Sequence, residues 1–138
     1  MSKVAVVYWS GTSNTKAMAE EVAEGARQAG AEVTLLEVES AGSMDGFDAV
    51  AMGCPAMGAE ELEDSVFVPW LSGVEASLAG RKVALFGSYG WGDGEWMRQW
   101  ENRCAGVGIQ LCAESVLANE APDADAAAAC RALGTALA

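Results

Sequence analysis

Apolar residues run through this chain in two alternating rhythms. Nearly continuous apolar runs fall at 3–9, 33–38, 48–54, 81–87 and 109–116. Segments with helical spacing lie at 16–28, 62–78, 94–105 and 123–137. Continuous runs rich in β-branched residues suit parallel strands buried on both faces. Gly30 reads as the C-cap of the first helix, Pro69 as a break or bend in the second, and Pro122-Asp123 as the start of the last. Trp96, Met97 and Trp100 share one face of the third helix. Five βα units in a row imply a parallel sheet with helices on both sides, and right-handed crossovers leave few topologies. The expected fold is an α/β doubly wound five-stranded sheet of order 2-1-3-4-5, with the whole chain, 1–138, as one domain. Ligands on such sheets bind beyond the carboxyl ends of the strands, where the winding reverses. The loops after strands 1, 3 and 4 are therefore the ones that carry chemistry.

Charge and composition narrow the function. Twenty acids against 8 bases give a formal net charge of −12, which argues against nucleic acid and suits a partner with a basic docking face. Histidine is absent, which removes His-based hydrolase triads and most catalytic zinc sites. Cys54, Cys104, Cys112 and Cys130 show no C-x-x-C spacing, so no metal site is expected. Cys54 and Cys112 fall in apolar strands and read as small buried hydrophobes. No apolar run approaches the roughly 18 to 20 residues that span a bilayer, and the first strand follows without a signal-peptide pattern. The expectation is a cytoplasmic protein without membrane insertion.

The turn Ser10-Gly11-Thr12-Ser13-Asn14-Thr15 links the end of a strand to the start of a helix. Such a turn aims backbone N–H groups and short polar side chains at one spot on the positive end of a helix dipole, where a doubly charged phosphate fits. The loop after strand 3 is Pro55-Ala56-Met57-Gly58-Ala59-Glu60-Glu61, and the loop after strand 4 is Ser88-Tyr89-Gly90-Trp91-Gly92-Asp93-Gly94. Glycines at both sides of Trp91 let backbone approach a ligand closely while the indole offers a flat face. Met57 lies opposite it across the switch point. A phosphate turn beside two apolar walls describes a slot for a planar, phosphorylated ring.

These motifs, in this order, resemble the short-chain flavodoxins of anaerobic bacteria, and the likeness extends to Asn119-Glu120-Ala121-Pro122-Asp123 before the last helix. The resemblance implies a flavodoxin-like fold, one non-covalent FMN and a low-potential one-electron carrier that uses the semiquinone/hydroquinone couple. It would shuttle electrons between redox enzymes of the kind that also use ferredoxin, as a monomer. By the same resemblance Ser10, Gly11, Thr12, Ser13, Asn14 and Thr15 would hold the phosphate, with Ser88 reaching it from the fourth-strand loop. Met57 would cover the inner ring face within Pro55, Ala56, Gly58 and Ala59, and Trp91 would stack outside, flanked by Tyr89 and Gly92. Glu60 would accept from the ring N3–H, the Gly90 amide would face the N1/O2 edge, and Asn119 would complete the set.

Two residues depart from the family pattern. Gly usually stands where this chain has Ser13; a positive φ there would cost Ser roughly 1 kcal/mol or more. Ala59 replaces the Asp, Asn, Ser or Gly of many relatives. In the resembled proteins the Gly58–Ala59 peptide turns over on one-electron reduction. Gly58 suits the positive φ of a type II′ turn, whereas a type II turn would need positive φ at Ala59, which Ala resists. An FMN-dependent NAD(P)H:quinone-type reductase on the same fold is the alternative, although Trp91 closes the face a substrate would need. A signalling receiver domain shares the strand order but needs acids at the end of strand 1, where this chain has Trp9-Ser10-Gly11.

Overall fold

A computed structural model describes residues 2–138; Met1 lies outside the described residues. Strand β1 (Lys3–Tyr8) leads to helix α1 (Asn14–Gln28), and β2 (Glu32–Glu37) to β3 (Ala49–Gly53). Helix α2 (Phe67–Val74) runs on into a 3-10 turn at Glu75–Leu78, followed by β4 (Lys82–Tyr89), α3 (Glu95–Gly106), β5 (Val116–Asn119) and α4 (Ala124–Leu137). The sheet order is β2-β1-β3-β4-β5, with all pairs parallel. This is the doubly wound order read from the sequence. One βα unit is incomplete, because β2 and β3 are joined through a short 3-10 turn, Val38–Ser40, instead of a helix.

Strand alternation divides the core between the two sheet faces. Val4, Val6, Ala49, Ala51, Ala84 and Phe86 pack beneath α1 and α4, with Met18, Val22, Ala26, Cys130 and Leu133. Ala5, Val7, Val50, Met52, Val83 and Leu85 face α2 and α3, where Phe67, Leu71, Trp96, Met97 and Trp100 fill the layer. The helix pair α1–α4 approaches so closely that a Cβ on Gly25 would lie 2.0 Å from the Arg131 carbonyl oxygen. Between the strands, a Cβ on Gly53 would strike the Phe86 ring at 2.1 Å. Both glycines serve close packing.

Two further elements, α2 and β5, differ most from the sequence expectation. The expected helix over 62–78 begins only at Phe67. The Glu63 carboxylate accepts backbone N–H bonds from Ser65 at 2.9 Å and from Val66 and Phe67, both at 2.8 Å. These donors have no intrahelical partner, so Glu63 caps the helix from outside and sets its start. Pro69 then falls in the first turn, where the missing N–H is harmless, and no break follows. The expected fifth strand over 109–116 is found at Val116–Asn119. Only Leu111 bridges Val83 in the earlier stretch, with Cys112 N–H to Val83 O at 2.9 Å, before the chain swings out and rejoins β4 at Val116. The swing carries Cys112 to an exposed position, correcting its reading as a buried hydrophobe. Cys54 is buried as expected, and burial pushes its thiol up to about 12.

Burial disfavours the Glu63 carboxylate, but the N–H bonds from Phe67, Val66 and Ser65 outweigh it and hold the group below its ordinary 4.5. Its contribution to stability is therefore complete above the unfolded-state value and is lost as pH falls through the lower folded one. Glu63→Ala is expected to lower the urea-unfolding free energy at pH 7 by about 1–3 kcal/mol. The difference between the wild type and Glu63→Gln should narrow as pH drops below 4.5. A difference constant through that range would contradict the cap.

Candidate functional site

The carboxyl ends of β1, β3 and β4 meet at one edge of the sheet, and a cleft of about 330 Å³ opens there. Its walls are Trp9, Gly11, Thr12 and Asn14 from the first loop, Pro55, Ala56 and Met57 from the second, and Ser88, Tyr89 and Gly90 from the third, together with Glu120 after β5. Backbone bonds hold the first two walls in register with the sheet: Trp9 N–H donates to Gly53 O at 3.0 Å, and Ala56 N–H to Ser88 O at 3.0 Å. The first loop is tied to the third by a buried hydroxyl pair, Thr15 Oγ1 to Ser88 Oγ at 3.0 Å. A Cβ on Gly11 would lie 3.0 Å from the Trp9 indole, so only Gly lets the loop cross over that ring without displacing it.

Helix α1 starts at Asn14, two positions before the expected Lys16. Ser10 Oγ accepts from the amides of Ser13 at 3.1 Å and Lys16 at 3.2 Å, which stitches the turn closed. Among the described residues the amides of Gly11, Thr12, Asn14 and Thr15 find no acceptor. They sit on the positive end of the α1 dipole beside the hydroxyls of Thr12 and Thr15. Neutral N–H and O–H donors gathered at a helix N-terminus are the chemistry that a phosphate dianion requires. The residues present therefore fit a phosphorylated cofactor.

The second loop is a small hairpin. Met57 and Glu61 exchange both backbone bonds, at 2.8 and 3.0 Å, around Gly58, Ala59 and Glu60. Gly58 has φ +48 and Glu60 φ +57, whereas Ala59 stays out of the left-handed region. This is the sign pattern of a type II′ turn at Gly58–Ala59. The Glu60 carboxylate crosses to the third loop and accepts from the Asp93 amide at 3.2 Å. A Cβ on Gly92 would meet the same carboxylate at 2.0 Å. Trp91 stands out from the loop with 65% of its surface exposed. Gly90, Trp91 and Gly92 amides have no acceptor among the described residues.

Of the sequence-nominated residues, Gly11, Thr12, Asn14, Pro55, Ala56, Met57, Ser88, Tyr89 and Gly90 line one cleft. Ser10, Ser13 and Thr15 shape the turn behind it, and Gly58, Ala59, Glu60, Trp91 and Gly92 form two tips beside it. Asn119 is not on the wall; its side-chain amide turns to Tyr89 O at 3.5 Å. Two wall residues were missed, Trp9 and Glu120. Trp9 was visible as an aromatic at a strand end facing the switch point; Glu120 stood beside Asn119 in the motif before the last helix, without a periodic signal of its own. A larger groove of about 510 Å³ lies between 113–117 and α4. Its alanine wall and the carboxylates of Glu114, Asp123 and Asp125 make it unsuitable for an anion.

Fold and cleft together define a doubly wound α/β protein that takes a planar, phosphorylated cofactor where the sheet reverses its winding. The family model described as flavodoxin matches residues 6–134. The flavodoxin of Megasphaera elsdenii is 46% identical over 137 residues, covering 98% of each chain, and that of Clostridium beijerinckii is 42% identical over 120 residues, covering 86% of this chain and 87% of the relative. The solution structure of two-electron reduced Megasphaera elsdenii flavodoxin superposes with a TM-score of 0.89 at 45% identity, covering 97% of both chains. The chain belongs to the flavodoxin family: it is an FMN-binding electron carrier and not an enzyme. Among the described residues no helix is long and apolar enough to cross a membrane.

Ser13 has φ +75, the strained alternative weighed from its sequence position, and its side chain makes no cap bond in return. Ser13→Gly should raise the urea-unfolding free energy of the cofactor-free protein by about 1 kcal/mol. An unchanged or lower value would show that the turn relaxes around Ser.

Proposed function

We propose that this protein is a monomeric, single-domain cytoplasmic carrier that passes electrons one at a time between redox enzymes whose docking faces are basic. FMN, when bound, accepts and releases single electrons. The chain's own residues bind it, orient it and set the energy of each step. The observation that carries the assignment of binding residues is the set of acceptor-free amides at Gly11, Thr12, Asn14 and Thr15 at the start of α1. With Ser10, Ser13 and Ser88 behind and beside them, these residues would hold the phosphate. Pro55, Ala56, Met57, Tyr89, Gly90, Trp91 and Gly92 would hold the ring. Met57 and Trp91 would exclude water from its two faces, and Glu60 would exchange its Asp93 amide for the ring N3–H.

Acidic residues stand on the two loops that flank the cleft and just after them: Glu60, Glu61 and Asp64 at the hairpin, and Asp93 and Glu95 between β4 and the first turn of α3. Arg98 pairs with two of these, Asp93 at 3.0 Å and Glu95 at 2.6 Å, and Glu60 is committed to the cleft, which leaves Glu61 and Asp64 to meet a basic partner. Charge complementarity of this kind speeds brief encounters, which a shuttle needs.

Apoprotein mixed with FMN should quench flavin fluorescence stoichiometrically. Anaerobic dithionite titration of the complex should then pass through a long-wavelength absorbing intermediate before full bleaching. Steady NAD(P)H oxidation by the isolated protein would overturn the carrier role in favour of the reductase alternative.

Ala59 resists the positive φ that a type II turn would demand, and so biases the hairpin toward the II′ arrangement, in which the peptide carbonyl would accept a hydrogen bond from a ring N–H. Ala59→Gly should lower the potential of the first electron step. A hydrogen bond of about 1 kcal/mol corresponds to about 40 mV for one electron. Spectroelectrochemical titration reads the shift directly, and an unchanged or higher potential would refute the bias.

A further inference from the structure

One rung is missing from the β3–β4 ladder where the cleft begins. The register pairs Gly53 with Phe86. Beyond it, Cys54 N–H donates to Phe86 O at 3.2 Å and Ala56 N–H to Ser88 O at 3.0 Å. A regular parallel ladder has a bond between these two, from Ser88 N–H to Cys54 O. Among the described residues that bond is not formed. Side chains from opposite faces of the sheet take both of its groups. Trp96 Nε1–H, in the first turn of α3, donates to Cys54 O at 3.0 Å. Thr15 Oγ1, in the first turn of α1, accepts from Ser88 N–H at 3.4 Å. Cys54, Ser88 and Trp96 are all buried, so water does not replace either partner. A Cβ on Gly87 would lie 2.3 Å from Cys54 O and 3.1 Å from the Trp96 ring; glycine clears the space in which they meet.

The missing rung stands at the root of both apolar walls. Pro55, Ala56 and Met57 follow Cys54 along one side of the cleft, and Tyr89 and Gly90 follow Ser88 along the other. Trp96 does not line the cleft itself. Its ring packs behind the second wall, against Tyr89, with centroids 5.6 Å apart. Its N–H turns the Cys54 carbonyl out of the ladder, which leaves Ser88 N–H to Thr15 at the start of α1. Resting on the FMN reading above, we infer that Trp96 is a positioning residue: its indole N–H holds this rung open and so sets the spacing of the two ring walls and the phosphate turn. Without that donor, Cys54 O is a buried acceptor whose ladder partner is Ser88 N–H, and leaving it unpaired is costly. The rung then closes, draws the walls together and releases Ser88 from Thr15. A ligand that needs all three loops at once binds more weakly.

The test compares Trp96→Phe with Trp96→His by quenching of FMN fluorescence on the apoprotein at about pH 8, where histidine is neutral. Imidazole overlays the pyrrole half of indole, with Nε2–H where Nε1–H stood, so His keeps the donor while filling less space than Phe. Trp96→Phe should raise the FMN dissociation constant about tenfold or more, and Trp96→His less than about threefold. Urea unfolding of the two apoproteins should not follow that order, because His leaves the larger void and is no more stable than Phe. A loss of affinity that tracks volume, with His equal to or worse than Phe, would overturn the inference. So would unchanged affinity in Trp96→Phe. Where a variant fails to fold, NMR couplings across hydrogen bonds in the FMN-bound wild type decide. The Cys54 carbonyl carbon should couple to Trp96 Nε1; coupling to the Ser88 amide nitrogen instead, or to neither, would overturn the role. Failure of the wild type to bind FMN would overturn the cofactor reading itself.

Discussion

The start of α1 is built around backbone amides that the protein does not satisfy. Gly11, Thr12, Asn14 and Thr15 present their N–H groups at the same helix end, and Ser10 Oγ absorbs only those of Ser13 and Lys16. A turn with so many free donors gains little from its own contacts, and its shape depends on neighbours. The buried Thr15–Ser88 pair supplies that dependence by fastening the turn to β4. The ligand supplies the rest. A cofactor at one hundred times its dissociation constant adds about 2.7 kcal/mol to folding, comparable to the contribution of a whole helix cap.

Neutral donors also explain how an acidic protein can hold a dianion. Lys16 is the only base between Trp9 and Arg27, so a phosphate held at this turn would be met mainly by peptide dipoles and hydroxyls. A full cation about 10 Å from the ring would favour negative charge arriving there by about 1–2 kcal/mol at an effective dielectric of 20. Backbone donors would bind the phosphate while adding much less of that bias. On the proposed reading, the acids beside the cleft would work in the opposite sense, opposing charge on the ring and lowering its potential. The same side chains would then discourage the ring from keeping an electron and attract a basic partner that removes it.

Much of this was legible in the sequence because strand, turn and helix signals stand next to one another. The run 3–9 ends at Ser10-Gly11, and the hydroxyl-rich turn can only lie at a strand's carboxyl end. What stayed hidden depends on contacts distant in the chain or on backbone angles. The beginning of α2 is set by a carboxylate four residues upstream, which helical periodicity does not register. The stretch 109–115 is apolar enough for a strand, yet the edge of β4 pairs with it only around Leu111 and Cys112. Hydrophobicity predicts that a segment is buried, not which partner has room for it. Glu120 stood in the motif before the last helix, but its place on the cleft wall comes from the Tyr89 carbonyl that its amide reaches, which no local spacing registers.

Strain follows the same boundary. Among the described residues, the non-glycine ones with positive φ are Ser13, Glu60 and Glu120, one in each of three loops around the cleft. Elsewhere the left-handed positions that close helices and turns, such as Gly30, Gly80 and Gly108, are glycines, where that conformation costs little. Ser13 puts a hydroxyl in the turn that is proposed to hold the phosphate, and the other two put carboxylates at the hairpin tip and beside the cleft. On the proposed binding roles, local stability would be given up where side-chain chemistry meets the ligand, on a close-packed sheet that tolerates the loss.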